Sequence, residues 1–303
     1  MKKTIILAIF GGLLSVLAVS DLLGDSWAYP DGPSTYYSSN KIYTLTVIPP
    51  PSANRKKCDA ILKRSDLKDN QVVWQATLVN RVQPLGAMIT DTGDYVVTFD
   101  NWASVGTDPI VIYDSKGQLV RRHSLGSLGL MRYVEGAPVV KKGKDGSATL
   151  ATEGDYCITR TVSSIWWQEN AIKFFIKDER YLIIRLGWGM LLGVELATGR
   201  VLGDAELKTM KADIDKNVLR EMLLLLASDE GNKQAQGALI AGQEKYTPAI
   251  PRLRELLKSK AHKTSWRPGG RTKNEYYVRK ASLDALTALG EKVDGVITEE
   301  DFP

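Results

Sequence analysis

Between Lys41 and Leu202 the chain is written in short apolar runs punctuated by turn residues. Tyr43-Thr44-Leu45-Thr46-Val47-Ile48 alternates bulky apolar side chains with threonine and ends at Pro49-Pro50-Pro51, the composition of a strand that stops abruptly. The same pattern predicts strands over Val72 to Val79, Tyr95 to Phe99, Ile110 to Tyr113 and Leu119 to His123, and again over Ala171 to Ile176, Tyr181 to Leu186 and Leu191 to Leu196. Asp91-Thr92-Gly93-Asp94, Asp114-Ser115-Lys116-Gly117 and Ala197-Thr198-Gly199 supply tight turns between them. Regular short strands joined by tight turns make antiparallel meanders, as in sandwiches or propellers.

Beyond Asp204 the apolar period lengthens to that of a helix. Asp215 to Ser228 carries Val218, Met222, Leu225 and Leu226, and Lys233 to Glu244 is rich in alanine. Pro248 to Lys258 carries Ile250, Leu253, Leu256 and Leu257. Tyr276 to Leu289 carries Val278, Ala281, Leu283, Leu286 and Leu289 before Gly290 stops it. The expected fold class is therefore α+β, an antiparallel β-meander followed by a small helical extension. The expected units are a leader over 1–28, a β-rich domain over 29–203 and a helical domain over 204–303.

The helical part repeats itself. Ala238-Leu239, Glu244-Lys245 and Ala249-Ile250 recur as Ala285-Leu286, Glu291-Lys292 and Val296-Ile297, each 47 residues later, within the roughly 40–47-residue period of HEAT-type repeats. Val278-Arg279-Lys280-Ala281 with Ala285-Leu286 and Leu289-Gly290 resembles the first helix of the short bacterial HEAT-like repeat. Pro248-Ala249-Ile250-Pro251-Arg252-Leu253 with Leu256-Leu257 resembles its second. The resemblance implies a binding surface and no chemistry. About two units are visible and the last second helix is cut short at Pro303, so this part is expected to lean on the β-rich part.

Gly93 to Ser124 and Glu179 to Leu202 also share a layout, in which an apolar strand, a glycine turn and a returning strand resemble the outer hairpin of a β-propeller blade. A closed propeller takes about four to eight blades of about 40 residues or more, so an incomplete propeller-like meander or a sandwich is expected. The string Gly93-Asp94-Tyr95-Val96-Val97-Thr98-Phe99-Asp100-Asn101-Trp102, with Ser163-Ser164 and Trp166-Trp167, is similar to a class of exported bacterial propeller-like proteins, a likeness that implies no particular activity.

The N-terminus reads as an export signal. Met1-Lys2-Lys3 is basic, Thr4 to Val19 is uncharged, and Ala18-Val19-Ser20 and Ser26-Trp27-Ala28 each offer a small-x-small cleavage point, after residue 20 or after residue 28. The run falls short of the about 20 residues that span a bilayer and contains Gly11-Gly12, which favours removal over anchoring. Export places the protein in the periplasm or outside the cell. In that oxidising setting Cys58 and Cys157, the two cysteines of the chain, are expected to pair as a disulfide. The alternative is two buried reduced thiols on adjacent strands.

Composition excludes more than it selects. The chain has 303 residues, 44% of them hydrophobic and 25% charged, the balance of an ordinary globular protein. Two histidines and two cysteines leave little for a metal site, and no metal or cofactor is expected. There is no Gly-x-Ser-x-Gly, His-Glu-x-x-His, P-loop or Gly-x-Gly-x-x-Gly. His123 and His262 both sit among basic residues with no evident orienting carboxylate, so no catalytic residue is assigned.

Charge does concentrate in one place. From Arg252 to Lys280 there are ten basic and two acidic residues, interleaved with Trp266, Tyr276 and Tyr277. Lys258, Lys260, Lys263, Trp266, Arg267, Arg271 and Lys273 are the candidate binding residues, on a loop with a flexible tip at Pro268-Gly269-Gly270. An exported protein rarely meets nucleic acid. The expected partner is a protein or an anionic component of the envelope, with peripheral membrane contact as a further possibility. Oligomeric state is not legible. Asp100 and Asn101, after their strand, are expected to satisfy a turn, and of Trp166-Trp167 at most one can face solvent. The expected function is non-enzymatic binding or scaffolding through the helical surface and the basic loop. The alternative is a carbohydrate-active or other hydrolytic enzyme with its site on the β-domain.

Overall fold

The computed structural model describes residues 27–30, 32–50, 57–66, 71–136, 139–142, 148–151, 157–266 and 272–302. The molecule is a mixed α+β stack of antiparallel sheets, with helices packed against the last of the large sheets. The first sheet takes β1 (Ser34–Tyr37), β2 (Tyr43–Ile48), β3 (Asp59–Arg64) and β4 (Gln71–Thr77) in sequence order. Tyr43, Leu45, Val47, Ala60, Leu62 and Trp74 point inward, while Val72 and Val73 stay exposed. The second sheet takes β5 (Gly86–Ile89), β6 (Val96–Phe99), β7 (Val111–Tyr113) and β8 (Leu119–Arg122), again in sequence order.

The second sheet is covered on both faces. Ile89, Val96, Val111 and Tyr113 complete the core begun by the first sheet. Val97, Phe99, Ile110 and Ile112 belong to a different core on the other side. Double coverage explains why β6 is an unbroken apolar run apart from Thr98, without the alternation of β2. The turn glycines fit the first sheet as well as the second: Gly117, at φ 72°, would bring a Cβ to 2.8 Å from the Trp74 ring, so a side chain there is excluded by both backbone and space.

A connecting region follows. It holds the ribbon of β9 (Val139–Lys142) with β10 (Ala148–Ala151) and the short pair β11 (Thr159–Arg160) and β12 (Ile165–Trp166). The third large sheet comprises β13 (Ile172–Ile176), β14 (Tyr181–Arg185) and β15 (Leu191–Glu195). It too is two-faced: Leu182, Ile184, Leu192 and Val194 meet the second sheet's core, and Ile172, Phe174, Ile176 and Ile183 meet the helices. Each such fully buried aliphatic side chain contributes roughly 1.5–3 kcal/mol.

The helices are α1 (Asp204–Thr209), α2 (Lys211–Ala227), α3 (Gly231–Gln243), α4 (Ile250–Leu256) and α5 (Tyr277–Ala288). Glu206 starts α1 by accepting the Gly203 N–H at 3.0 Å, and the Arg200 guanidinium, bonded to both its oxygens, holds its carboxyl down at about 2. Ile214, Val218, Met222 and Leu226, each one helical turn apart, form the buried stripe of α2. A Cβ on Gly242 of α3 would lie 2.9 Å from the Ala285 Cα of α5, so small residues let these helices meet closely. Residue 203 thus marks a change of secondary structure and not a break in the core, which runs from β13 and β14 into α1 and α2.

Several expectations require correction. Cys58 and Cys157 are free thiols and form no disulfide. Cys58 lies in the core between the first and second sheets, whereas Cys157 is exposed beside Ile158 of the next core. The two cysteines are set against different cores and are not close, whereas a disulfide needs a Cα separation within about 7 Å. The basic loop is a β-hairpin, β16 (Lys263–Trp266) with β17 (Thr272–Glu275). The repeat's second helix does not recur: Val296-Ile297 leads into a strand, β18 (Glu299–Phe302), which pairs with β17. Gly295, at φ 73°, breaks the helical path just before it. The leader over 1–28 lies outside the described residues except for its last two, and the triple proline is described only at its first two residues. No described helix is long and apolar enough to cross a membrane.

Burial pushes the Cys58 thiol up to about 12. Thiol titration of the native protein is expected to modify Cys157 alone, with Cys58 reacting only after denaturation. Two rapidly reacting thiols, or none, would contradict this arrangement.

Candidate functional site

The chain turns sharply after β6. Asp100 adopts φ 57° and is fully buried. Its Oδ1 accepts the Gly106 N–H at 2.7 Å, and the Trp167 indole N–H lies 3.0 and 2.9 Å from its two oxygens, with the Gln168 amide donating as well. The Asp100 carbonyl accepts from Asn80 Nδ2 at 3.0 Å, and Asn80 also binds Asn101 and Thr98. Asn101 in turn donates to Asp108 Oδ2 at 2.9 Å, and Asp108 pairs with Arg122. Burial raises the Asp100 carboxyl to about 7 against the pull of these donors. Lys173 of β13 faces it, and burial lowers that ammonium while Asp100 raises it. The turn expected at Asp100 and Asn101 is thus present, and its side chains reach three parts of the fold.

A cavity of ≈ 380 Å³ opens beside this node, lined in part by Asp108, Arg122, His123 and Ser127. It holds no hydrolytic dyad. The Ser127 hydroxyl donates to the Ser124 carbonyl at 3.0 Å and accepts the Ser124 N–H at 2.9 Å, so it is committed to a turn. His123 reaches Ser127 at 3.2 Å, and burial, reinforced by Arg121, lowers its pKa. A neutral ring without a carboxylate partner lacks the orienting group of a triad.

Trp166 ends β12, and Trp167 begins the turn that follows it rather than continuing the strand, yet the two still diverge. Trp167 is fully buried and Trp166 half-buried. The Trp166 ring stacks on Trp27 at 5.7 Å and 17°, and Trp27 meets Trp102 edge-on at 5.1 Å and 79°. The Trp102 indole N–H donates to the Ala28 carbonyl at 2.7 Å. Residues 27–28 are therefore strapped across the half-buried Trp166. Next to it, Thr159, Thr161, Trp166, Gln168 and Glu169 line a cavity of ≈ 470 Å³.

The helical end carries a groove of ≈ 520 Å³ between α3 and α5. Its floor is built from small and apolar residues, Ala235, Leu239, Ala281 and Ala288 among them, and Lys245, Glu275, Lys280 and Asp284 stand around it. The basic hairpin borders this groove through Glu275, and α5 through its first residue, Tyr277. Of the residues singled out in the sequence, Lys258, Lys260, Lys263 and Trp266 are exposed, with Trp266 at 80%. Lys263 lies over the Tyr277 ring at 5.4 Å, and Lys273 pairs with Glu299. Arg267 and Arg271 lie outside the described residues. Sequence reasoning missed the acidic strand Glu299–Phe302. The run Glu299-Glu300-Asp301 was the available signal, separated from the basic stretch by a helix.

No family model matches the chain, and no curated protein matches it. Among solved structures, a candidate 6-phosphogluconolactonase from Bacteroides fragilis aligns at 13% identity over 56% of this chain and 37% of its own, with a TM-score of 0.24. HIRA(644-1017) aligns at 11% identity over 87% of this chain and 95% of its own, with a TM-score of 0.27. Scores at this level carry neither fold nor activity across.

Two outcomes test the polar node and the strap. The folded Asp100 carboxyl sits above its ordinary value of 3.8, so its contribution to stability is greatest below that value and falls as pH rises toward about 7. Calorimetry should show the wild type losing stability relative to Asp100→Asn across that window, and parallel pH profiles would contradict the burial argument. Trp27→Ala removes two ring contacts and should cost about 1–3 kcal/mol in denaturant unfolding; an unchanged midpoint would mean that the strap is not held in solution.

Proposed function

We propose that the chain is an exported, non-enzymatic binding protein that docks a partner on its helical end. The observation that carries this reading is the apolar groove between α3 and α5, rimmed by charges of both signs and bordered by a hairpin with an exposed tryptophan. Apolar floors with polar rims are the anatomy of recognition surfaces. The packing of α3 against α5, with α4 between them in sequence, supports reading this part as HEAT-like. The successive meanders stacked face to face support an incomplete propeller-like arrangement for the β-rich part. The partner is a protein or an anionic envelope component.

Export follows from the sequence of the leader, and the strap bears on where the leader ends. Cleavage after Ser20 keeps Trp27, whereas cleavage after Ala28 removes a ring that stacks on Trp166. Mass spectrometry of the exported protein is expected to find Asp21 at its start. A start at Tyr29 would refute this cleavage point, and an intact Met1 would refute the removable leader.

A second reading has one specific observation behind it. Trp166, the threonines at 159 and 161, Gln168 and Glu169 together give the cavity beside the strap a sugar-compatible lining. Turnover of a glycan abolished by Glu169→Gln would favour a carbohydrate-active enzyme.

The binding reading is tested by cross-linking in the protein's own envelope, comparing wild type with Lys280→Glu/Ala281→Glu. The groove variant is expected to lose capture by about tenfold or more. Equal capture by a folded variant would remove the groove from the function.

A further inference from the structure

The basic hairpin is already in contact with an acidic peptide, residues 299–302 of its own chain. β18 pairs antiparallel with β17, placing Phe302 opposite Thr272, Asp301 opposite Lys273, Glu300 opposite Asn274 and Glu299 opposite Glu275. The approach to this strand is gripped through its backbone. The Tyr276 N–H donates to the Thr298 carbonyl at 2.8 Å, and Arg279 Nη1 donates to the Ile297 carbonyl at 3.1 Å. Side chains then read its acidity. Lys273 pairs with Glu299, and the Tyr276 hydroxyl donates to Glu300 at 2.9 Å. The Arg279 guanidinium lies 4.0 Å over the Tyr276 ring and keeps that ring in place.

All four residues of β18 are exposed, and Ile297 before it is 58% exposed. Its attachment is therefore backbone hydrogen bonding plus charge, the combination by which sheet edges accept an added strand from another chain. Lys258, Lys260 and Lys263 extend the positive field around the hairpin. Trp266 lies opposite Thr272 on the far side of β17, in the same cross-strand row as Phe302.

We propose that the edge of β17 is a docking site for an acidic, extended segment of a partner protein, and that residues 297–302 occupy it as an internal competitor. This deepens the binding reading by assigning the partner's chemistry at the hairpin: an extended backbone with acidic residues where Glu299, Glu300 and Asp301 lie and an aromatic residue where Phe302 lies. The tethered strand competes at an effective concentration in the millimolar range or above, so the partner gains access when the tail is displaced.

The test uses the synthetic peptide Ile-Thr-Glu-Glu-Asp-Phe-Pro, titrated calorimetrically at low salt into the full chain and into a chain ending at Val296. The shortened chain is expected to bind it at least about tenfold more tightly than the full chain does. It is expected to lose about tenfold or more on Lys273→Glu, or when the three peptide acids are replaced by amides. Equal affinity of the two chains, or no binding to a shortened chain that keeps its native near-ultraviolet circular dichroism, overturns the proposal. Should the shortened chain unfold, amide exchange in the full chain decides: saturating peptide must accelerate exchange at 299–302, and unchanged exchange overturns the proposal. Groove-dependent capture that survives while the peptide fails to bind overturns this inference alone.

Discussion

A carboxylate shut away from water must be surrounded by donors, and Asp100 draws its donors from separate parts of the chain. Gly106 comes from the loop that Asp100 itself begins, and Trp167 and Gln168 come from the approach to the third sheet. Lys173, of opposite charge, comes from that sheet. The Trp167 and Gln168 donors are usable only if the second and third sheets are correctly set against each other. A buried polar group left unmatched costs about 1–3 kcal/mol, so the node penalises misalignment more sharply than apolar packing does. The apolar faces around it supply the energy of association; Asp100 supplies its register.

The same logic recurs one layer further along. Arg185, at the end of β14, is almost fully buried, and it donates to Glu244 and Gln243 at the end of α3. Gln243 returns a hydrogen bond to the Gly187 carbonyl at 2.8 Å. The third sheet is thus pinned on one face by Asp100 and on the other by Arg185. The helices inherit their placement from this second pin, and the groove between α3 and α5 inherits its own from the helices.

Much of this architecture was legible in the chain, for identifiable reasons. β2 and β13 to β15 announce themselves because sheets with buried faces demand bulky apolar residues at fixed spacing. That Trp166 and Trp167 do not both face solvent matches the expectation, but by a turn that starts at Trp167 and not by strand alternation. β16, β17 and β18 were invisible, because Lys-Thr-Ser-Trp, Thr-Lys-Asn-Glu and Glu-Glu-Asp-Phe have no apolar alternation and become strands only by pairing. The disulfide expectation failed because sequence records how far apart two cysteines are along the chain and not which layer each occupies. The basic cluster was legible as charge but not as a partly neutralised surface, since Glu299 lies beyond an intervening helix.

The tryptophan strap fixes an order of events. Ala28 and Trp102 are separated by 74 positions, and Trp166, the other ring against Trp27, comes later still. A contact across so much chain cannot form until the distant residues exist and have folded. Trp27 and Ala28 are therefore synthesised well before their partners and are among the last residues to settle. During that interval Trp27 and Ala28 remain unattached to the fold. Under the export proposed above, such a delay means that whatever handles the N-terminus meets a segment not yet sewn into the folded body.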